Sequence, residues 1–67
     1  MRVIHNTGCG KCLLLCEKKG IGLIASPDKQ EMIVAYMSKE DKNLWHSGAY
    51  FRDYASALKE FKERVYG

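Results

Sequence analysis

Apolar and polar positions group along the 67 residues into six short elements. Arg2–Ile4 is a brief β-like run, punctuated by Gly8-Cys9-Gly10. Lys11–Lys19, with Leu13, Leu14 and Leu15 at its centre, reads as about two helical turns stopped by Gly20, since glycine ends helices by taking up positive φ. Ile21–Ala25 reads as a strand ended by the turn Ser26-Pro27-Asp28, where proline presets φ and the flanking side chains can bond backbone amides. Met32–Met37 is the clearest strand. Ser38–Asn43 is a polar connection, and Leu44–Phe51 is a further strand interrupted by Gly48. In the last segment Tyr54, Leu58, Phe61 and Val65 recur at helical spacing, Asp53 stands where an N-cap belongs, and Glu60 precedes Arg64 by one turn.

The order β-α-β-β-β-α predicts an α/β (α+β) fold, a small single-domain sandwich over residues 1–67 with a largely antiparallel sheet and a C-terminal amphipathic helix. Met32–Met37 is apolar on both sides, so it needs cover on both faces or leaves one face for a partner. The C-terminal helix covers one face in this reading, and the short leucine helix covers part of the other.

Composition narrows the class. A chain of this length buries only about 60% of its unfolded surface, so a disulfide, a metal or a partner chain is a common addition. Hydrophobic residues make up 46% with a single proline, which speaks against disorder. No run approaches a membrane span, and Met1–Ile4 is too short for the apolar part of a secretion signal. A cytoplasmic setting is therefore expected. The net charge of +3 is concentrated near the start, where Arg2, Lys11, Lys18 and Lys19 face Glu17 alone. Nucleic acid is only weakly signalled, because no basic block exists and lysine and arginine do not interleave with Trp45, Tyr50, Phe51 and Tyr54.

The chemistry is concentrated in His5-Asn6-Thr7-Gly8-Cys9-Gly10-Lys11-Cys12-Leu13-Leu14-Leu15-Cys16. Three cysteines cannot all pair within one chain, and a CxxC in a reducing compartment points to metal or redox chemistry. A straight helix would spread His5, Cys9, Cys12 and Cys16 over ~16 Å, too far for one tetrahedron. A bend at Gly8 and Gly10 brings Cys9 and Cys12 into a knuckle with Cys16 one turn on, which makes zinc the candidate cofactor with His5, or else His46, as fourth ligand. The alternative to ligation is that the cysteines pack as small hydrophobes.

Residues 3–12, Val-Ile-His-Asn-Thr-Gly-Cys-Gly-Lys-Cys, resemble the strand–CxxC–helix opening of thioredoxin and glutaredoxin-like proteins, and the final strands and helix are similar to the family's ending. The resemblance implies a thiol-disulfide oxidoreductase with Cys9 attacking and Cys12 resolving. The chain departs from the family in its short first helix, in lacking a middle helix between Ala25 and Met32, and in having no proline just before Met32.

No Ser/His/Asp set, carboxylate pair or phosphate-binding glycine loop is present, so hydrolase and transferase chemistry have no footing. The leading expectation is a small cytosolic binding or regulatory module rather than an enzyme. It carries a cysteine-rich knuckle and engages a protein partner or a second copy through an apolar sheet face. A shortened thioredoxin-like enzyme is the alternative.

Overall fold

Lys19 and Gly20 both take positive φ, 54° and 77°, in the manner of a two-residue hairpin loop, and Lys18 pairs with Ile21 across it. Gly20 thus turns a hairpin where the sequence pattern suggests the end of a helix. In the computed structural model of the protein, which describes residues 1–6, 8 and 10–67, the predicted helix Lys11–Lys19 is instead a nine-residue strand. The elements are β1 (Arg2–Asn6), β2 (Gly10–Lys18), β3 (Ile21–Ser26), β4 (Glu31–Met37), β5 (Trp45–Phe51) and α1 (Tyr54–Tyr66). The expected order β-α-β-β-β-α is therefore corrected to five strands followed by one helix. The α+β class, the antiparallel pairing and the C-terminal helix are as expected.

The physical reason lies in tertiary pairing. A nine-residue helix is marginal in water on its own. As a strand, the same segment places Cys12 and Leu14 in the core and finds hydrogen-bond partners on both sides, in β1 and β3. The sheet is a plain meander in the order β1-β2-β3-β4-β5, each pair antiparallel. The turn at Ser26-Pro27-Asp28 is present, with Gln30 N donating to Pro27 O at 3.2 Å. In the polar connection Ser38 Oγ accepts from the Glu40 and Asp41 amides, and Asp41 Oδ1 accepts from Asn43 N.

The meander has two apolar faces. On the inner face Ile4, Cys12, Leu14, Ile24, Ile33, Ala35 and Met37 form one cluster, with Trp45 packed against it. No helix among the described residues lies on this face. The sheet curls over it, and residues 42–43, just before β5, meet β1. Arg2 Nη1 donates to Lys42 O at 3.0 Å, Asn6 Nδ2 to Asn43 O at 2.9 Å, and His5 N to Asn43 Oδ1 at 3.2 Å. Gly22 sits inside this curl, where a Cβ would lie 2.7 Å from Met37 Sδ and 2.9 Å from Leu14 Cδ1, so a larger residue would have to displace those side chains. The inner face also buries Ser26, whose hydroxyl has no hydrogen-bond partner among the described residues.

On the outer face α1 packs over β3, β4 and β5. Its Ala57, Phe61 and Val65 join Ile21, Leu23 and Val34, with Met32, Phe51 and Leu58 at the edge of the cluster. The helix stripe is rotated from the expected one, because Tyr54 stays exposed while Ala57 is buried. Asp53 caps α1 as expected, accepting from Ser56 N at 2.8 Å, and that backbone hydrogen bond holds its carboxyl below the usual aspartate value. Glu60 and Arg64 pair at 2.7 Å.

Candidate docking surface

The strands decide what the cysteines and histidines can do. Side chains alternate across a strand, so Cys12 and Cys16 would share a face if β2 ran evenly. A bulge between Leu14 and Cys16 shifts the register by one residue. Cys12 consequently lies in the inner cluster, fully buried, and Cys16 lies half-buried against the outer one. A zinc ion cannot take both as ligands when a sheet stands between them. His5 pairs with Lys11 and is exposed on the face opposite Ile4 and Cys12. It lies about 15 Å along the sheet from Cys16 at the usual rise per residue. Cys9 lies outside the described residues. Among the described residues no three of histidine, cysteine, aspartate and glutamate gather where a metal could sit. The redox reading needs a cysteine at a helix N-terminus, whereas β2 supplies a strand at Cys12 and α1 carries no cysteine.

His46, the other candidate ligand, belongs to a clasp at the far end of the outer face. It sits opposite Tyr36 with ring centroids 5.7 Å apart. Arg64 lies over the Tyr36 ring at 5.3 Å, donates to Ser47 O at 2.9 Å and is ion-paired to Glu60. The β5 bulge at positive-φ Ser47 turns that carbonyl to the arginine. On the opposite side of α1, Lys18 Nζ reaches Tyr66 Oη at 3.2 Å, and this bond holds the lysine above its usual pKa. The Glu60–Arg64 flank of α1 therefore faces β5, and the Leu58–Lys62–Tyr66 flank faces β2.

Between that second flank and the edge of the sheet lies open apolar surface. The register aligns Val3, Leu13, Ala25, Met32 and Phe51 in one row across all five strands. Alpha-helical cover reaches Met32 and Phe51 and stops. Val3 is left 42% exposed, and Leu13 and Ala25 are half-buried. Two hollows adjoin this row, and a third lies on the helix flank. One of about 300 Å³ lies between Lys11, Leu13, Pro27 and Asp28. One of about 360 Å³ lies among Ala25, Pro27, Met32 and Tyr54. The largest, about 560 Å³, runs along α1 past Ala55, Leu58, Lys59, Lys62 and Tyr66. Lys11, Lys18, Arg52, Lys59 and Lys62 lie around this surface together with Asp28, Glu31 and Glu63, so its rim carries both signs.

Sequence pattern alone assigned none of this surface. Val3 and Leu13 are ten residues apart in the chain and become neighbours only through the β1–β2 register. The partner face expected on Met32–Met37 is not available at the centre of that strand, since Ile33, Val34 and Ala35 are fully buried on both sides. No helix among the described residues is long and apolar enough to cross a membrane. No family model matches this chain, and neither does a curated protein or a solved structure.

Proposed function

We propose that the protein is a non-catalytic binding module that docks a protein partner on the outer face of β1 and β2, beside α1. The observation that carries this reading is the apolar row cut short by its cover: α1 spans β3 to β5, while Val3 and Leu13 continue the same row without it. Exposed apolar surface bordered by polar groups costs free energy in water and is characteristic of interaction sites. A cytoplasmic, regulatory role goes with this reading, and zinc is not needed for it.

Photo-crosslinking tests the proposal. Benzoylphenylalanine replacing Leu13 in the intact chain is expected to give a discrete adduct with one identifiable protein, and the same residue replacing Lys29 on the distant turn is expected to give none. The purified pair should then bind directly, at least tenfold more weakly with Val3→Glu. Absence of an adduct at position 13, or equal adducts from both positions, would overturn the proposal.

A further inference from the structure

We infer that the free edge of β5 pairs antiparallel with β5 of a second copy of this chain, about a two-fold axis at Tyr50. This contact lies at the opposite margin of the sheet from β1 and β2 and does not depend on the docking reading above.

The two edges of the sheet are β1 and β5. The chain itself engages the first, since Arg2, His5 N and Asn6 bond residues 42–43. At the second, the phase of the ladder shows which backbone groups are left over. Residues of an antiparallel strand bond one neighbour and the other in alternation. Met37 N donates to Gly20 O at 2.8 Å, so Met37, Ala35 and Ile33 bond β3, while Val34 and Met32 bond β5. Their partners Ala49 and Phe51 therefore turn their amides and carbonyls to β4. Each trans peptide unit points its N–H and C=O in opposite directions. Gly48 O, Tyr50 N, Tyr50 O and Arg52 N consequently face outward, and no described residue bonds them.

This stretch also lacks the usual protection of an open edge. The strand Trp45–Phe51 contains no lysine, arginine, aspartate, glutamate or proline. Its bulge lies earlier, where Ser47 O accepts from Arg64, and Ala49–Phe51 stays in regular register with β4.

The outward groups are their own complement. A two-fold axis at Tyr50 sets Tyr50 N and O against the same atoms of the second copy. On either side, Arg52 N of one copy meets Gly48 O of the other. Side chains favour this self-pairing over an unrelated strand. Tyr50 is 51% exposed, and its ring lies along its own strand over Gly48, 3.1 Å from where a Cβ would stand. In this register Arg52 of the second copy stands opposite Gly48 and so beside that ring. Arg52 is exposed and ion-paired to no described residue, and a guanidinium against an aromatic face is attracted by it.

The helices leave room for the second copy. α1 packs over β3, β4 and β5 and so centres near β4. Pairing would hold the two β4 strands three spacings apart, about 14 Å, beyond the ~10 Å at which helices touch. Lys59, Glu60 and Glu63 line a hollow of about 250 Å³ between α1 and Phe51, and both signs on this flank let each copy meet the other with opposite charge. So small a contact belongs with the weak interfaces, below about 1,200 Å². The dimer is expected to dissociate on dilution.

The test is sedimentation equilibrium of the whole protein, made by total synthesis, up to millimolar concentration. A monomer–dimer equilibrium is expected. N-methylation of the Tyr50 amide removes an outward donor and leaves the β4 ladder intact, so it should weaken the dimer at least tenfold. The same change at Lys29, in the distant turn, should leave it unaltered. Tyr50→Lys, with the circular dichroism spectrum of the parent, should also weaken it at least tenfold. Hydrogen exchange of the Tyr50 amide should slow as concentration rises. A monomer at every concentration would overturn the inference. So would a dimer indifferent to both changes at Tyr50, a dimer in which the Tyr50 amide exchanges no more slowly, or one that Val3→Glu dissociates.

Discussion

The two faces of the sheet are equally apolar at their centres but are closed by different means. The inner face is sealed by the backbone's own curl: Ile4 on β1 and Met37 on β4 share one cluster, and the chain just before β5 is bonded back to β1. The outer face is sealed by a separate element, and a single helix is narrower than five strands. Curling closes the centre of the inner surface, with Tyr50 left exposed at its β5 side, whereas α1 leaves the β1–β2 margin of the outer one open. That difference separates residues that hold the fold from residues free to bind.

Substitutions on the two faces should therefore part company. The largest effect is expected at Ile33, fully buried on the inner face. Ile33→Ala should cost about 2–5 kcal/mol, which approaches the whole stability of so small a domain. Urea unfolding would show a midpoint near zero or no folded baseline; a loss below about 1 kcal/mol would mean that the inner face repacks and is not sealed as described. A smaller effect is expected at Asp53, which fastens the helix to its entry point. Its folded-state pKa is depressed by the Ser56 amide, so its contribution is present above the unfolded value and is lost as pH falls through the folded one. Asp53→Asn should flatten that acid limb in thermal melts taken from neutral pH downwards, and an unchanged limb would deny the cap its part. The smallest effect on folding belongs to Val3. Val3→Ser should change stability by no more than about 0.5 kcal/mol, as exposed positions do, while weakening whatever docks. A loss comparable to Ile33→Ala would mean that the outer margin is core and the comparison between the faces fails.

Much of this architecture is legible in local chemistry. The C-terminal helix follows from Asp53, the apolar spacing and the Glu60–Arg64 pair, all of which act within a few residues of one another. The turns at Pro27 and Ser38–Asn43 both occur, the first closed by the backbone bond from Gln30 N to Pro27 O and the second by side chains bonding nearby amides. Lys11–Lys19 is different. Three consecutive leucines have neither the period of a helix nor that of a strand, and Lys19-Gly20 serves equally to end a helix or to turn a hairpin. The neighbours β1 and β3 decided the matter by offering the segment hydrogen-bond partners on both sides.

The candidate chemistry turned on the same decision. CxxC followed by a third cysteine suggests shared ligation only if the segment winds so that Cys12 and Cys16 lie together. The strand and its bulge put them on opposite faces. Conversely, Val3 and Leu13 carry no motif, and their adjacency exists only once the β1–β2 register is set.

By itself, then, the sequence determined what short-range interactions control: the helix and its cap, the polar turns, the apolar character of the strands and the basic balance near the start. Tertiary structure alone decided the identity of β2, the sides on which the cysteines fall, the curl that closes the inner face and the margin left open on the outer one. Each of these depends on pairing between distant segments, where a shift of one residue exchanges the two faces of a strand.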